Sequence, residues 1–529
     1  MIRRRTLVSS LLAAPAIWSV RDAFAQTPRD TLVLAKAIDD IISLDPHEAF
    51  EFSGNETNSN VYEKLLTTPN ASPQRIVGEL AESWSASPDG MTHTFVMKTG
   101  RKFSSGNAVT AADAEYSLRR AVVMNKTPGF ILTQFGLNAQ NANTNIRATD
   151  ARTLAITITE QVAPSFFYYC LTANVGSIVD KATVESHKTG DDWGNGWLKT
   201  NSAGSGPYVL RAWRASETVT LEANPNFPTP LKNRRVITRH VPEPASQLLL
   251  LQRGDIDIAR NLGPDQLRGL MNDAGYKVQR ARQGSINYVC MNQNNAELAK
   301  PQVREALKWA IDYEAIQRNI VSTTYDVHQA FLPVGFLGVL EDKPFRFDAD
   351  KAKDLLRQAG VPNGFTLTLD HTNAAPASDI AQAIQGTFAQ VGITLNLIPG
   401  EQRQVITKMR ARQHQLLMQR WGSDYMDPHS NAEAFGYNPD NGDNARSKTL
   451  AWRNSWYPAM TEQVIAASRE RDQERRAQMY IDMQKEHQHS SPFAFMLQQI
   501  EVAARRANVD ALDIGPTADR IYYGQVGKA

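Results

Sequence analysis

FTLTLDHTNAAPASDIAQAIQGTFAQVGITLNLI, residues 365–398, contains the pattern that decides the fold class. Its two ends, FTLTLD and ITLNLI, predict strands. Between them Ile380, Ile384 and Phe388 lie one helical turn apart, which predicts an amphipathic helix. A strand, a helix and a strand at this spacing predict a βαβ unit with parallel strands and a right-handed crossover. We therefore expect an α/β fold.

The strand that follows leads into a segment with unusual chemistry. QLLMQRW (415–421) predicts a strand and runs directly into QRWGSDYMDP (419–428), which contains an arginine, a tryptophan, a tyrosine and two aspartates. Open α/β sheets bind ligands at the carboxyl ends of their strands, where this segment lies. Asp424 and Asp427 are three positions apart, so the segment is either a pair of catalytic carboxylates or a wall of a binding pocket.

The rest of the chain extends the α/β pattern. A chain of 529 residues is too long for one ordinary core, so we expect two or three lobes. Short strands and helices alternate without a fixed repeat length, which excludes a solenoid. Further strands are predicted at 31–37, 92–98 and 153–159.

Capping residues predict where several helices begin. Thr110 and Asp113 form a capping-box pattern at the start of one helix. Pro301 begins another over 301–316, in which Val303, Leu307 and Ile311 share one face. A third is predicted to begin after the N-cap Asp348 and to end at Gly360.

The N-terminus has the pattern of a secretory signal. Residues 1–25 contain three arginines at 3–5, a short apolar run and an Ala-Phe-Ala cleavage motif ending at Ala25. We expect cleavage there and export to the periplasm, by the Sec or the twin-arginine route. Beyond it, no stretch approaches the roughly 20 apolar residues that span a bilayer.

The charge and cysteine content exclude several functions. Without residues 1–25 the chain is close to neutral and has no basic run, so nucleic acid is not an expected partner. Cys170 and Cys290 are the two cysteines, which leaves open whether they pair and excludes a zinc site built from thiolates. We expect neither a cofactor nor a bound metal.

Seven stretches are diagnostic because of their order along the chain. They are ISLDPHEAFEFSGNETNSNVYEKLLT (42–67), LAESWSASPDGMTHTFVMKTGRKFSSGNAVTAADAEYSLRRA (80–121), GSGPYVL (204–210), QRGDIDIA (252–259), VREALKWAID (303–312), AKDLLRQAGVPNGF (352–365) and WGSDYMDP (421–428). In this order they resemble the signatures of the dipeptide- and oligopeptide-binding family of extracellular solute-binding proteins, family 5, which serve ABC importers.

The resemblance implies a periplasmic-binding-protein fold (type II, cluster C), with two main lobes joined by a hinge and an additional third lobe. Lobe I would comprise 26–72, 204–290 and 490–529, lobe II 73–203, and lobe III 291–489. The hinge would lie at Gly284–Asn292 and Ser490–Leu497, where the chain crosses between lobes. The implied function is solute capture for import. The protein, as a monomer, would close over a peptide or similar amine-bearing solute and deliver it to the membrane permease.

The resemblance also implies the ligand-binding residues in the 419–428 segment. Asp424 matches the aspartate that receives the ligand's α-amino group in peptide-binding members, and Asp427 is expected to shape the turn before Pro428. Trp421 could stack on a ligand and Arg420 could bind a carboxylate, although strand alternation directs these two neighbours to opposite faces. Tyr425 is a further candidate.

Other segments supply further candidates. Glu51, Phe52 and Ser53 lie in a segment that family members pass across the ligand. Asn287 and Tyr288 adjoin a strand crossing. Asp370 and His371 end the strand at 365–370. Met418 stands where an oligopeptide binder would have a basic residue for the peptide carboxylate, which weakens the case for a peptide.

Several alternatives stay open at this point. An opine, an oligosaccharide or a nickel chelate could occupy the same fold. The nickel alternative has one weak indication, the pair His487 and His489. A secreted hydrolase using Asp424 and Asp427 is the distant alternative, because the sequence has no G-x-S-x-G, H-E-x-x-H or P-loop motif.

Overall fold

The computed structural model describes residues 27–373, 375–457 and 460–529. The predicted signal peptide, 1–25, lies outside the described residues. Within these ranges, no helix has both the length and the apolar character needed to cross a membrane.

The strands, numbered along the chain, vary widely in length. They are β1 (Thr31–Lys36), β2 (Glu63–Lys64), β3 (Leu66–Thr67), β4 (Val77–Gly78), β5 (Ala81–Ala86), β6 (Thr92–Met97), β7 (Ile146–Ala148), β8 (Thr153–Thr157), β9 (Ser177–Ile178), β10 (Tyr208–Arg214), β11 (Thr218–Ala223), β12 (Arg235–His240), β13 (Ile258–Ala259), β14 (Tyr276–Met291), β15 (Tyr325–Val327), β16 (Thr366–Thr372), β17 (Thr394–Gly400), β18 (Leu416–Gly422), β19 (Phe493–Arg506), β20 (Asp513–Ile514) and β21 (Ile521–Tyr522).

The helices alternate with these strands. They are α1 (Phe52–Asn58), α2 (Ala111–Met124), α3 (Phe130–Thr133), α4 (Ala142–Asn145), α5 (Pro164–Cys170), α6 (Lys181–Ser186), α7 (Asn195–Leu198), α8 (Pro244–Arg253), α9 (Pro264–Met271), α10 (Pro301–Trp309), α11 (Tyr313–Asn319), α12 (Ala349–Gln358), α13 (Ala377–Gln390), α14 (Gln402–Arg410), α15 (His429–Gly436), α16 (Leu450–Arg453), α17 (Met460–Arg469) and α18 (Gln473–Ser490).

A large mixed sheet forms the centre of the molecule. Its strand order is β10-β11-β12-β1-β13-β19-β14-β18-β16-β17, and β15 pairs with β19. The long antiparallel strands β14 and β19 join its two halves, and their pairing register shifts between Arg282 and Ile286. Because neighbouring strands come from distant parts of the chain, the sheet brings together residues far apart in sequence.

The predicted βαβ unit is confirmed. β16 and β17 pair in parallel from Thr366 opposite Thr394, and α13 connects them. Ile380, Ile384 and Phe388 are buried in the core under the sheet. β18 lies beside β16 in parallel and beside β14 in antiparallel, so it is the third strand from the β17 edge of the large sheet.

A second, four-stranded sheet has the order β5-β6-β8-β7. With α2, α3 and α5 it encloses a hydrophobic core drawn from residues between 65 and 178. We call residues 65–178 the small-sheet body. The predicted strands at 92–98 and 153–159 and the capping box of Thr110 and Asp113 all lie in it as expected.

The single helix predicted over 301–316 is wrong, because the structure has two helices there. Val303 and Leu307 are buried on α10, which ends at Trp309, and Ile311 is buried in the connection. The Asp312 side chain then accepts a hydrogen bond from the Ala315 N–H at 2.9 Å and begins α11. An aspartate that caps a new helix this way competes with continuation of the preceding one.

The two cysteines are free thiols. Cys170 is buried in the core of the small-sheet body and Cys290 is buried on β14. The structure thus resolves the question that the sequence left open in favour of separate core residues.

Candidate functional site

Two adjoining cavities lie at the carboxyl end of β18. The first, the arginine cavity, has a volume of about 260 Å³ and is lined by Arg420, Gln499 and charged residues of the β1 region. The second, the aspartate cavity, has a volume of about 290 Å³ and is lined by Asp424 and by apolar residues of the small-sheet body. Both cavities share the lining residues Phe52, Gly422, Ser423, Thr517 and Ala518.

The strand geometry of β18 separates Arg420 from Trp421. Arg420 lies opposite Asn287 of β14 and faces the arginine cavity. Its Nη1 donates to Gln499 Oε1 at 2.9 Å, and its guanidinium lies 5.3 Å from the centre of the Phe52 ring. Among the described residues it has no carboxylate partner, so its remaining donors are available to a ligand.

Trp421 faces the other side of the sheet, as the alternation predicts. Its ring packs edge-on against Phe435 at 6.0 Å between centroids, and its Nε1 donates to Asn431 Oδ1 at 3.3 Å. It lines neither cavity. The structure therefore places Trp421 in a packing role and does not bring it to the site.

Asp424 lies in the loop that follows β18, and its carboxylate lines the aspartate cavity. The Asp424 N–H donates to Ser430 Oγ at 3.0 Å, which fixes the backbone. Within the described ranges no lysine, arginine or histidine pairs with the carboxylate. Burial, together with the nearby Glu433 carboxylate, raises the pKa of Asp424 to about 7. A cation reaching this cavity would meet an uncompensated acid.

Asp427 has a different environment. It is fully buried, and its two oxygens accept hydrogen bonds from Nη1 and Nη2 of Arg476 at 2.6 Å each. The His429 N–H also donates to Asp427 Oδ1 at 2.9 Å. Asp427 thus shapes the turn, as predicted, and also forms a buried ion pair that the sequence did not indicate. Asp424 and Asp427 do not face one substrate as a catalytic pair requires.

Tyr425 lies between these two aspartates but not in the site. It is 3 % exposed and belongs to the core of the small-sheet body, with its ring centroid 5.8 Å from that of Phe166. Its hydroxyl lies 3.4 Å from Gln134 Oε1. Tyr425 therefore lines neither cavity.

The N-terminal segment contributes two of its three candidates. Phe52 is 54 % exposed and lies between the two cavities, and Ser53 lines the arginine cavity. Glu51 is the residue before α1 and lines neither cavity. Its Oε2 accepts a hydrogen bond from the Phe50 N–H at 3.2 Å.

The candidates on β14 and β16 lie outside both cavities. Tyr288 is fully buried among Phe435, Phe493 and Phe495. Asn287 is buried on β14, opposite Arg420. These two residues belong to the sheet interior and not to the cavity lining.

His371 and its neighbour Asp370 are also remote. His371 is 2 % exposed, and its Nδ1 lies 2.8 Å from the Thr372 carbonyl oxygen. Asp370 is buried and pairs with Lys408 at 2.7 Å. The strand end that carries them is displaced from the end of β18, because β16 and β18 pair only at residues 369–370 and 416–417.

The histidine pair does not form a joint metal-binding group. His487 is 1 % exposed and stacks on Phe493, and its Nε2 lies 3.2 Å from the Phe435 carbonyl oxygen. Burial lowers its pKa to about 3. His489 is exposed and lies beside Phe345.

The sequence did not identify the charged wall of the arginine cavity. Lys36 and Arg260 each bind Glu56 at 2.6 Å, and Arg260 also binds Glu501 at 2.6 Å. Burial opposes ionisation of Glu56, but Arg260 and then Lys36 outweigh it and lower its pKa to about 2. These cations are therefore already paired inside the wall, which leaves Arg420 as the unpaired cation in the cavity lining described here.

Comparison with known proteins gives a consistent result. A family model described as bacterial extracellular solute-binding proteins, family 5, middle, matches residues 75–443. The probable D,D-dipeptide-binding periplasmic protein DdpA of Escherichia coli K12 is 26 % identical over 525 residues, covering 98 % of this chain and 97 % of that protein.

Solved structures share the fold. The periplasmic binding protein DppA of Helicobacter pylori, in complex with the peptide STSA, superposes with a TM-score of 0.76 at 22 % identity, over 94 % of this chain and 98 % of that one. The binding protein MoaA of A. tumefaciens R10, in complex with mannopinic acid, gives a TM-score of 0.75 at 23 % identity, over 95 % and 100 % of the two chains.

Proposed function

Because the chain belongs to the family 5 bacterial extracellular solute-binding proteins, we propose that it is the periplasmic solute-binding component of an ABC importer. It captures a short peptide or a similar amine-bearing solute by hinge closure and delivers it to the membrane permease. It acts as a monomer after export through the signal at residues 1–25.

The unpaired carboxylate of Asp424 is the observation that carries this proposal. A carboxylate beside Glu433 and with no cationic partner among the described residues is unfavourable in the empty protein. A ligand ammonium that enters the aspartate cavity removes the repulsion and forms a charge-assisted hydrogen bond. The same carboxylate gives an uncharged sugar no such advantage.

Arg420 supports a ligand that carries both charges. Its guanidinium lies in the neighbouring cavity and keeps donors free for a carboxylate. Met418, the position where an oligopeptide binder would have a basic residue, is 2 % exposed and packs in the core. Arg420 therefore takes the carboxylate-binding role in our proposal, and a short zwitterion such as a dipeptide fits the pair of cavities.

The lobe boundaries belong to the same proposal. Lobe I would take 26–72, 204–290 and 490–529, lobe II 73–203, and lobe III 291–489. The separate core of the small-sheet body supports lobe II. The passage of β14 and β19 through the large sheet, with a register shift between Arg282 and Ile286, supports a hinge near the predicted crossings.

A ligand screen tests the proposal. We expect a dipeptide at one hundred times its Kd to stabilise the mature protein by about 2.7 kcal/mol, which raises Tm by roughly 2–3 °C for a chain of this size. The measurement is thermal unfolding of protein freed of ligand by partial unfolding and refolding. Opines, polyamines, oligosaccharides and nickel chelates form the other arms. Stabilisation by an oligosaccharide alone would contradict the proposed role of Asp424.

Binding of the amine should depend on pH. Burial and Glu433 raise the pKa of Asp424 to about 7, so its carboxyl is mostly neutral below that pH and loses its attraction for an ammonium. We expect the affinity for a dipeptide to rise roughly 20-fold from pH 5.5 to pH 7.5, where most of the ligand amine is still charged. Titration calorimetry across this range measures it. A flat profile in the wild type would contradict the assignment.

A further inference from the structure

The segment 423–429, which we call the docking loop, runs from the end of β18 to the start of α15 and packs against the small-sheet body. Tyr425 enters the core of that body beside Phe166 and is 3 % exposed. Every other buried residue of this core lies between positions 65 and 178. One ring from a distant part of the chain therefore completes a hydrophobic core that is otherwise local.

Neighbouring contacts extend this interface on both sides of Tyr425. Met426 packs with Tyr169 of α5 and with Phe336. The His429 ring lies 4.7 Å from that of Phe166, between centroids. The docking loop thus contacts α5 through three residues and not through one isolated side chain.

The seated loop also determines how deeply Asp424 is buried. Asp424 immediately precedes Tyr425, and the wall of the aspartate cavity includes Ile131, Ala173 and Val175 of the small-sheet body. When Tyr425 is seated, these apolar side chains line the same cavity as Asp424. If the loop moved away from α5, the same carboxylate would regain water.

The charges around Asp424 oppose this burial. Glu433 lies near it and Asp519 lines the same cavity. The guanidinium of Arg476 binds both oxygens of Asp427, so it is already paired. Burial is the largest influence on His429 and lowers its pKa, which favours the neutral ring. Seating the loop therefore places a carboxylate, half-buried, among acids without a compensating cation.

We propose that Tyr425 is a positioning residue that latches the docking loop onto the small-sheet body, and that the latch closes fully when a ligand ammonium compensates the burial of Asp424. This inference rests on the proposed function. It assigns opposite effects to two adjacent residues. Loss of the Tyr425 ring favours the open state, and loss of the Asp424 charge favours the closed state without any ligand.

The test measures, in the ligand-free mature protein, the distance between the small-sheet body and α12, which lies on the far side of the docking loop in the proposed lobe III. Spin labels on Lys102→Cys of the small-sheet body and Lys353→Cys of α12 occupy exposed positions, while the native Cys170 and Cys290 are buried. We expect Asp424→Asn to increase the short-distance population at least twofold at pH 8. Tyr425→Ala should reduce it at least twofold, and Tyr425→Phe, which keeps the ring, should match the wild type.

Tyr457→Ala is the matched control, since Tyr457 is 65 % exposed and should leave the distances unchanged. Asp424→Asn alters no core side chain, so it tests the latch even where Tyr425→Ala folds poorly. A distance distribution of Asp424→Asn at pH 8 that equals the wild type would overturn the gating by charge.

A second arm separates the latch from the proposed function. The probe is alanyl-alanine, and its dissociation rate from Tyr425→Ala should exceed that from the wild type at least tenfold, with the pH dependence retained. If alanyl-alanine and all other amines of the screen fail to bind the wild type, the proposed function fails. If an amine binds the wild type and is lost in Asp424→Asn, yet Tyr425→Ala releases it at the wild-type rate, the latch alone fails.

Discussion

Asp424→Asn should weaken the binding of an amine-bearing solute by about 2–5 kcal/mol, or roughly 30-fold to several thousandfold in Kd. The substitution keeps the size of the side chain and removes the charge that would pair with the ammonium. In the wild type, Asp424 lines the aspartate cavity, and its carboxylate has no cationic partner in the described part of the chain. Isothermal titration calorimetry at pH 7.5 measures the loss.

Glu51→Gln supplies the matched control. It also removes a carboxylate from a segment predicted to cross the ligand, but Glu51 lines neither cavity and should change Kd by less than twofold. Equal losses in both variants would mean that overall negative charge, and not a specific anchor, attracts the ligand. An unchanged Kd in Asp424→Asn would refute the anchor.

Asp424→Asn should also change how the stability of the ligand-free protein depends on pH. The pKa of Asp424 is about 7 in the folded state, above its ordinary value of 3.8, so the folded protein holds a proton that the unfolded chain has released. The wild type should therefore lose stability as pH rises from about 4 to 7. Asp424→Asn lacks this contribution, so its Tm should fall less over that interval.

The local signals in the sequence were sufficient for the elements that depend on neighbours. The βαβ unit followed from periodicity within residues 365–398, and the capping box of Thr110 and Asp113 from two side chains three positions apart. Strand alternation correctly separated Arg420 from Trp421. The single helix predicted over 301–316 failed because the capping strength of Asp312 outweighed a continuous apolar face.

The cavity walls depended on contacts that no local pattern records. Four residues, separated by up to several hundred positions of sequence, meet because β1, β13 and β19 are neighbours in the large sheet and α1 presents Glu56 to them: Lys36, Glu56, Arg260 and Glu501. The seating of Tyr425 against Phe166 has the same origin. A tyrosine between two aspartates looks like a binding residue in sequence, whereas the fold uses it to fill a distant core.

The buried ion pair of Asp427 and Arg476 should produce the largest stability effect. Both side chains are fully buried, and Asp427→Asn leaves the guanidinium of Arg476 without a counterion. Breaking one partner of such a pair typically costs about 3–5 kcal/mol. We expect Tm to fall by several degrees in differential scanning calorimetry. If the protein unfolds in more than one step, the step in which the docking loop unfolds should shift most.

Two variants show whether the loss comes from the unpaired charge. Asp354→Asn breaks an exposed pair with Arg357, so it should cost less than about 0.5 kcal/mol. The double variant Asp427→Leu with Arg476→Met removes both buried charges and should recover much of the loss. Recovery should be incomplete, because Arg476 also donates to the Ala467 carbonyl oxygen at 2.9 Å. If Asp427→Asn retained its Tm and lost ligand binding instead, Asp427 would belong to the ligand site and the division of roles between the two aspartates would be wrong.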